Sequence, residues 1–211
     1  MSKENKKENG ICDKNLVFKI ITLGDSGVGK TSIINRYTND NFNDTNISTI
    51  GITCANKEIY FNKKEKVSIK LVDTCGQEKY KSLTKSYLKN TDAVLFVFAC
   101  NDKDSFDNIK DWMNLFNENS RIIDFPKLLI GNKCDLKGEI DENLINEFSK
   151  CNNIKFIKTS AKDNMNINES IEEIAKMVYQ KHNPSNNGKN KIIISYKKTK
   201  HKKSCIFCTA E

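Results

Sequence analysis

The segment Gly24-Asp25-Ser26-Gly27-Val28-Gly29-Lys30-Thr31 constrains this chain more than any other. Its Gly-x4-Gly-Lys-Thr spacing needs a strand that ends, a loop that turns tightly and a helix that begins. Glycine permits the bend and the close backbone approach, so successive N–H groups turn inward as an anion nest. The helix that follows adds the positive end of its dipole. Lys30 can reach terminal phosphates, and the Thr31 hydroxyl can serve Mg²⁺. The flanks agree: residues 16–23 read as a buried strand and residues 32–37 as the outgoing helix. The loop by itself leaves ATPase and kinase chemistry open.

The 211 residues suit one α/β domain of roughly 170 residues plus a tail. Strands are expected at 55–61, 66–73, 93–99, 127–131 and 155–159 besides the first, and helices at 104–118, 141–151 and 168–180. Residues 77–89 read as an irregular helix, and Asn62-Lys63-Lys64-Glu65 as a hairpin turn. On 104–118, Phe106, Ile109, Met113 and Phe116 share one face, with Asp104 or Ser105 as the cap. Such alternation predicts an α/β fold: a six-stranded, mostly parallel sheet, one antiparallel edge strand, and helices on both faces. Ligands of such folds bind at the carboxyl ends of the strands. The expected boundaries are a disordered extension over 1–14, a domain over 15–183 and a flexible polybasic tail over 184–211. His182, His201 and Trp112 carry no expected chemistry; Trp112 reads as packing.

No apolar run approaches the ~20 residues of a membrane span. No secretory leader is expected, and Ser2 stands where N-myristoylation needs glycine. The eight cysteines then read as reduced cytosolic thiols. Of the net charge of +8, +6 lies from Ser185 onward and only +1 in the body of the domain. Nucleic-acid binding is therefore not expected, and the tail points to an acidic membrane surface.

Two further motifs follow apolar strands. In Asp73-Thr74-Cys75-Gly76-Gln77, a strand-terminal Asp beside a phosphate loop can hold Mg²⁺ through water. Gly76 lets a backbone N–H reach a γ-phosphate, and Gln77 can orient an attacking water. In Asn132-Lys133-Cys134-Asp135, the Asp135 carboxylate can accept from the ring N–H and the exocyclic amine of guanine. Adenine offers no such pair, so the site discriminates by leaving polar groups unpaired. Asn132 can tie the base edge to the phosphate loop, and the Lys133 stem can pack on the ring. Thr159-Ser160-Ala161-Lys162 closes the next strand, where the Ala161 N–H can meet the guanine carbonyl.

This order of elements resembles the small GTPases of the Ras superfamily, over about residues 16–181. Residues 47–52, 80–87 and 104–109 look most like Rab proteins. The resemblance implies GTP/GDP with Mg²⁺, slow GTP hydrolysis with Gln77 as the catalytic residue, and a metal set of Thr31, Thr49 and Asp73. It extends the nucleotide-binding set to Asp25, Ser26, Gly27, Val28, Gly29, Lys30, Ser32, Phe42, Gly76, Asn132, Lys133, Asp135, Ser160, Ala161 and Lys162. Phe42 stands where the family places an aromatic against the guanine ring. Cys54 and Val72 stand where Rabs commonly carry large aromatics, leaving Tyr87 of that trio.

The implied partners are a guanine exchange factor, a GTPase-activating protein, a GDP dissociation inhibitor or escort protein, and effectors. The implied place is the cytoplasmic face of an intracellular membrane, in exchange with the cytosol, during vesicle transport. In the tail, five lysines over 197–203 precede Cys205 and Cys208. Either both cysteines carry geranylgeranyl, as Rabs often do, or Cys208 heads a four-residue prenylation box. A Ras- or Rho-like signalling GTPase and a nucleotide-locked scaffold are the alternatives.

Overall fold

The computed structural model describes residues 16–43, 51–62, 65–74, 86–120, 124–183 and 194–196. Its seven strands are β1 (Leu16–Leu23), β2 (Ile52–Phe61), β3 (Glu65–Thr74), β4 (Ala93–Ala99), β5 (Lys127–Asn132), β6 (Lys155–Lys158) and β7 (Ile194–Ser195). Its helices are α1 (Lys30–Asn39), α2 (Lys103–Asp107), α3 (Ile109–Asn119), α4 (Glu142–Cys151) and α5 (Ile167–His182). The sheet order is β6-β5-β4-β1-β3-β2-β7. β1 pairs in parallel with both β3 and β4, and β2 runs antiparallel to β3.

Parallel strands covered on both faces read as continuous apolar runs. β4 does so literally, with all seven residues buried. β2 alternates instead, because its flank is an edge: Ile59 and Phe61 are buried while Asn56 and Glu58 are exposed. One core lies under α1 and α5 and includes Ile33, Tyr37, Phe61, Leu95, Ile171 and Ile174. The other lies under α2, α3 and α4 and includes Val72, Phe96, Phe98, Trp112, Phe116 and Ile145. Each such isoleucine contributes about 1.5–3 kcal/mol on full burial.

The observed sheet has one strand more than expected. β7 comes from the tail and pairs antiparallel with the end of β2, Ile194 with Phe61 and Ser195 with Tyr60. A tail expected to be flexible thus contains a docked stretch, and β2 is not the outermost strand at that end. The helix expected over 104–118 is two helices that meet at Asn108. There the N–H groups of Asp111 and Trp112 both bond the Asn108 carbonyl, at 3.0 and 3.2 Å. The cap of α2 is Asp102 rather than Asp104 or Ser105: its carboxylate accepts from the Ser105 N–H at 3.1 Å.

The direction in which the sheet is built reverses at β1, whose neighbours are β3 and β4. The crevice beyond β1's carboxyl end is where open α/β sheets take ligands. The loop from Gly24 to α1 starts there.

Candidate nucleotide-binding site

Two glycines of the loop have no room for a side chain. A Cβ on Gly24 would fall 2.0 Å from the Val97 carbonyl of β4, and one on Gly29 would fall 2.3 Å from Asn132 Nδ2. Gly29 also has φ +95, a left-handed value that glycine adopts without strain. That turn starts α1, with the Ile33 N–H bonding the Gly29 carbonyl at 2.9 Å. Lys30 is 5% exposed, and its ammonium donates to the carbonyls of Gly24 (2.8 Å) and Asp25 (2.6 Å). It is held within the ring of the loop, where the phosphates of a nucleotide would lie. Ser26 and Gly27 are exposed at the tip, and Val28 is buried.

The Thr31 hydroxyl donates to Asp73 Oδ2 at 2.6 Å. Burial raises the Asp73 pKa, opposed by the Thr31 bond and the Lys30 charge. Its other oxygen, Oδ1, is buried with no partner among the described residues. A hydroxyl beside a carboxylate with a free buried oxygen is a hard-oxygen donor set of the kind Mg²⁺ takes. These residues therefore fit the ion. Thr49, the third expected ligand, lies outside the described residues, as do Gly76 and Gln77.

A cavity of about 260 Å³ opens beside the loop. It is lined by Gly27, Gly29 and Ser32, by Phe42 and Asn43, and by Asn132, Lys133, Asp135, Leu136, Ala161 and Lys162. Loops that are about a hundred residues apart in sequence thus meet around one space. Asn132 is the joint. Its Nδ2 donates to the Val28 carbonyl at 2.9 Å, and its Oδ1 accepts from the Thr159 hydroxyl and the Ala161 N–H, each at 3.2 Å. The Ala161 N–H, expected to meet a base carbonyl, is thus engaged by Asn132, which lies between it and the loop. Ser160 does not line the cavity; its hydroxyl donates to Asp135 Oδ1 at 2.7 Å and orients that carboxylate. Lys133 takes φ +60 as the chain turns out of β5.

Two residues missed in the sequence reading position these loops. Arg36, on α1, donates to the carbonyls of Ala161 (2.9 Å) and Lys162 (3.1 Å), and its guanidinium lies 5.9 Å from the Phe42 ring centre. Trp112, only 4% exposed, packs as expected but also donates its indole N–H to Asp25 Oδ1 at 2.7 Å. Asn108 donates to the other oxygen of Asp25 at 2.8 Å. A carboxylate beside a phosphate nest would repel anions; here two neutral donors hold it toward α3. The only available signal was a buried-type aromatic with a polar tip, which needs a partner.

Of the aromatic trio, Cys54 is exposed and Val72, its cross-strand partner, is wholly buried. Tyr87 is 37% exposed. Cys205 and Cys208 lie outside the described residues.

Residues 19–180 match the model of the Ras family. Among similar curated proteins, the Ras-related protein Rab-13 of Bos taurus is 37% identical over 167 residues, 78% of this chain and 81% of the relative. Rab-1D of Dictyostelium discoideum is 38% identical over 161 residues, 75% of this chain and 78% of the relative. Rab-8B of Homo sapiens is 35% identical over 176 residues, 82% and 84% of the two chains.

Proposed function

The chain belongs to the Ras family as a Rab-like GTPase, and from that membership we propose that it is a GTP/GDP switch, dependent on Mg²⁺, anchored by its tail to an intracellular membrane. The carrying observation is the cavity where the loop, Phe42, Asn132, Asp135 and Ala161 converge.

In this reading, Lys30 leaves its carbonyl partners for phosphate oxygens, and the loop N–H groups complete the nest. Asp135, oriented by Ser160, selects guanine. Thr31, Asp73 and Thr49 would hold Mg²⁺, which when bound would neutralise phosphate charge. Gln77 orients the attacking water; its amide is too weak a base to take the proton. The water oxygen bonds to the γ-phosphorus as the bond from that phosphorus to the β–γ bridging oxygen breaks; the electron pair leaves with GDP, and the water's protons end on the released phosphate. Arg36 is committed to the Ala161 and Lys162 carbonyls, at the base end of the site. In this reading an activating protein supplies the arginine that speeds the step, and the chain alone turns over on the order of 10⁻⁴–10⁻³ s⁻¹. GTP orders residues 42–52 and 73–87 for effectors, and hydrolysis releases them. An exchange factor then speeds GDP release, and a dissociation inhibitor or escort protein carries the lipidated form through the cytosol. Prenyl groups on Cys205 and Cys208 complete the anchor.

Asp135→Asn tests the base site. A hydrogen bond to a charged group contributes about 1.5–3 kcal/mol, so GTP affinity should fall roughly 10- to 150-fold with ATP binding unmoved. Competition binding with both nucleotides reads this directly. Unchanged preference for GTP over ATP would falsify the guanine role.

A further inference from the structure

β7 is held by more than its short ladder. Side chains alternate across a strand, so Ile194 and Tyr196 face the same side, that of α1 and α5. Ile194 packs on the core there, beside Phe61. The Tyr196 hydroxyl donates to Glu172 Oε1 of α5 at 2.7 Å. Its ring lies 5.0 Å from the Lys57 ammonium of β2, which also lies 4.1 Å from the Tyr37 ring of α1. Lys57 further donates to the Tyr37 carbonyl. Burial lowers the Lys57 pKa and raises those of both tyrosines, as expected of groups drawn out of water. Strand pairing, an apolar contact, a phenol–carboxylate bond and a cation between two rings thus converge on three residues of the tail.

We propose that Ile194, Ser195 and Tyr196 are an intramolecular docking strand, seated on β2, Tyr37 and Glu172, and that the membrane tether starts at Tyr196 rather than at the end of α5. The tether half rests on the anchored reading above; the docking half does not. The consequence is one of reach. Asn183 is 22 residues from Cys205, a span of roughly 75 Å when extended, whereas Tyr196 is 9 residues away, roughly 30 Å. β7 runs antiparallel to β2, so at Tyr196 the docked strand is directed toward the Ile52 end of β2. The docked strand keeps the domain close to the bilayer and turns the β2–α1–α5 flank toward it.

Hydrogen exchange on the full, unlipidated chain tests the docking. Replacing Ile194 by Ser and Tyr196 by Ala should speed exchange about tenfold in peptides covering 58–62 and 193–197. Glu172→Gln should give a smaller rise in the same peptides. GTP binding is the folding control and should not change. Equal exchange in wild type and the double variant would overturn the docking strand. The tether is read on prenylated full-length protein from eukaryotic cells, with phosphatidylcholine–phosphatidylserine vesicles carrying a dansyl headgroup acceptor. Trp112 is the sole tryptophan and serves as donor. Energy transfer should be at least about twofold stronger in wild type than in the double variant, because the longer tether lets the domain stand off. Equal transfer with vesicle binding intact would overturn the tether and leave the anchor. Absence of vesicle binding would overturn the anchored reading and the tether with it, while exchange alone still decides the docking strand.

Discussion

Single residues set the shape of the candidate nucleotide site, and Gly29 is the sharpest case. An alanine there must adopt φ +95 and place its Cβ 2.3 Å from Asn132 Nδ2. Strain of this kind costs of order 1–3 kcal/mol. Relief requires Asn132 to leave the Val28 carbonyl, which separates the phosphate loop from the 159–161 turn. Gly29→Ala should therefore weaken GDP and GTP binding together, by about tenfold or more, as read by equilibrium titration; loss of one nucleotide only would argue against this cause. Trp112 acts at one remove. Trp112→Phe keeps the packing but strands one oxygen of Asp25, a charged acceptor whose bond contributes about 1.5–3 kcal/mol. GDP release should quicken about tenfold, and the melting temperature should fall by about 3–12 °C, since each kcal/mol lowers it by about 2–4 °C in a domain of this size. Adding it to Asp25→Ala should change little, because Asp25→Ala has already removed the indole's acceptor. Additive effects of the pair would show that the indole acts through packing alone.

Secondary elements show which parts of this molecule are written locally. The phosphate loop compels a strand before it and a helix after it, so β1 and α1 were legible from residues 16–37. β4 and α4 were legible too: β4 is an unbroken apolar run, and the helix expected over 141–151 runs Glu142–Cys151, with Asp141 found to be its cap. The gathering of Asn132, Asp135 and Ala161 near the loop was legible because each follows an apolar strand of a parallel sheet. The bond between Trp112 and Asp25 was not, since it joins residues 87 apart and depends on how α3 seats on the sheet. β7 was not either: two residues carry no periodicity, and the pairing is decided by the free edge of β2 and by Glu172. At α2, the helix periodicity was right, but the start lay one residue before the expected helix's nearest cap. There Asp102 accepts from the Ser105 N–H, while the Ser105 hydroxyl accepts from the Ala99 N–H at 3.1 Å and so ties the helix to the end of β4. Asp102→Ala should cost about 1 kcal/mol. For a domain of this size that lowers the melting temperature by about 2–4 °C in a thermal scan, with nucleotide affinity retained. A wider fall, with affinity lost, would mean that the cap supports the loop as well as the helix.

The whole chain divides its charge between a nearly neutral domain and a strongly basic tail. Of +8, +6 lies from Ser185 onward, and Lys197, Lys198, Lys200, Lys202 and Lys203 stand within ten residues of Cys208 or just beyond. Among the described residues, no helix is long and apolar enough to cross a membrane. In the proposed reading, attachment comes from lipid plus charge. Two prenyl chains supply the anchor, so the lysines set the preference for anionic over neutral leaflets. Each contributes about 1 kcal/mol near an anionic leaflet, screened over a length of about 8 Å at physiological salt. Replacing Lys202 and Lys203 by Gln in the prenylated protein should then lower partitioning onto phosphatidylserine vesicles roughly 30-fold, since 1.4 kcal/mol is tenfold. On pure phosphatidylcholine the two proteins should partition alike, because no leaflet charge remains to be lost. Raising salt should bring wild type down to the variant on anionic vesicles. An equal loss on neutral and anionic vesicles would mean that the substitutions act on lipid attachment itself, and intact mass of the C-terminal peptide would then show an unmodified Cys205 or Cys208. GTP binding should be identical in both proteins throughout, because the lysines of the proposed anchor and the groups that line the cavity lie in different parts of the chain.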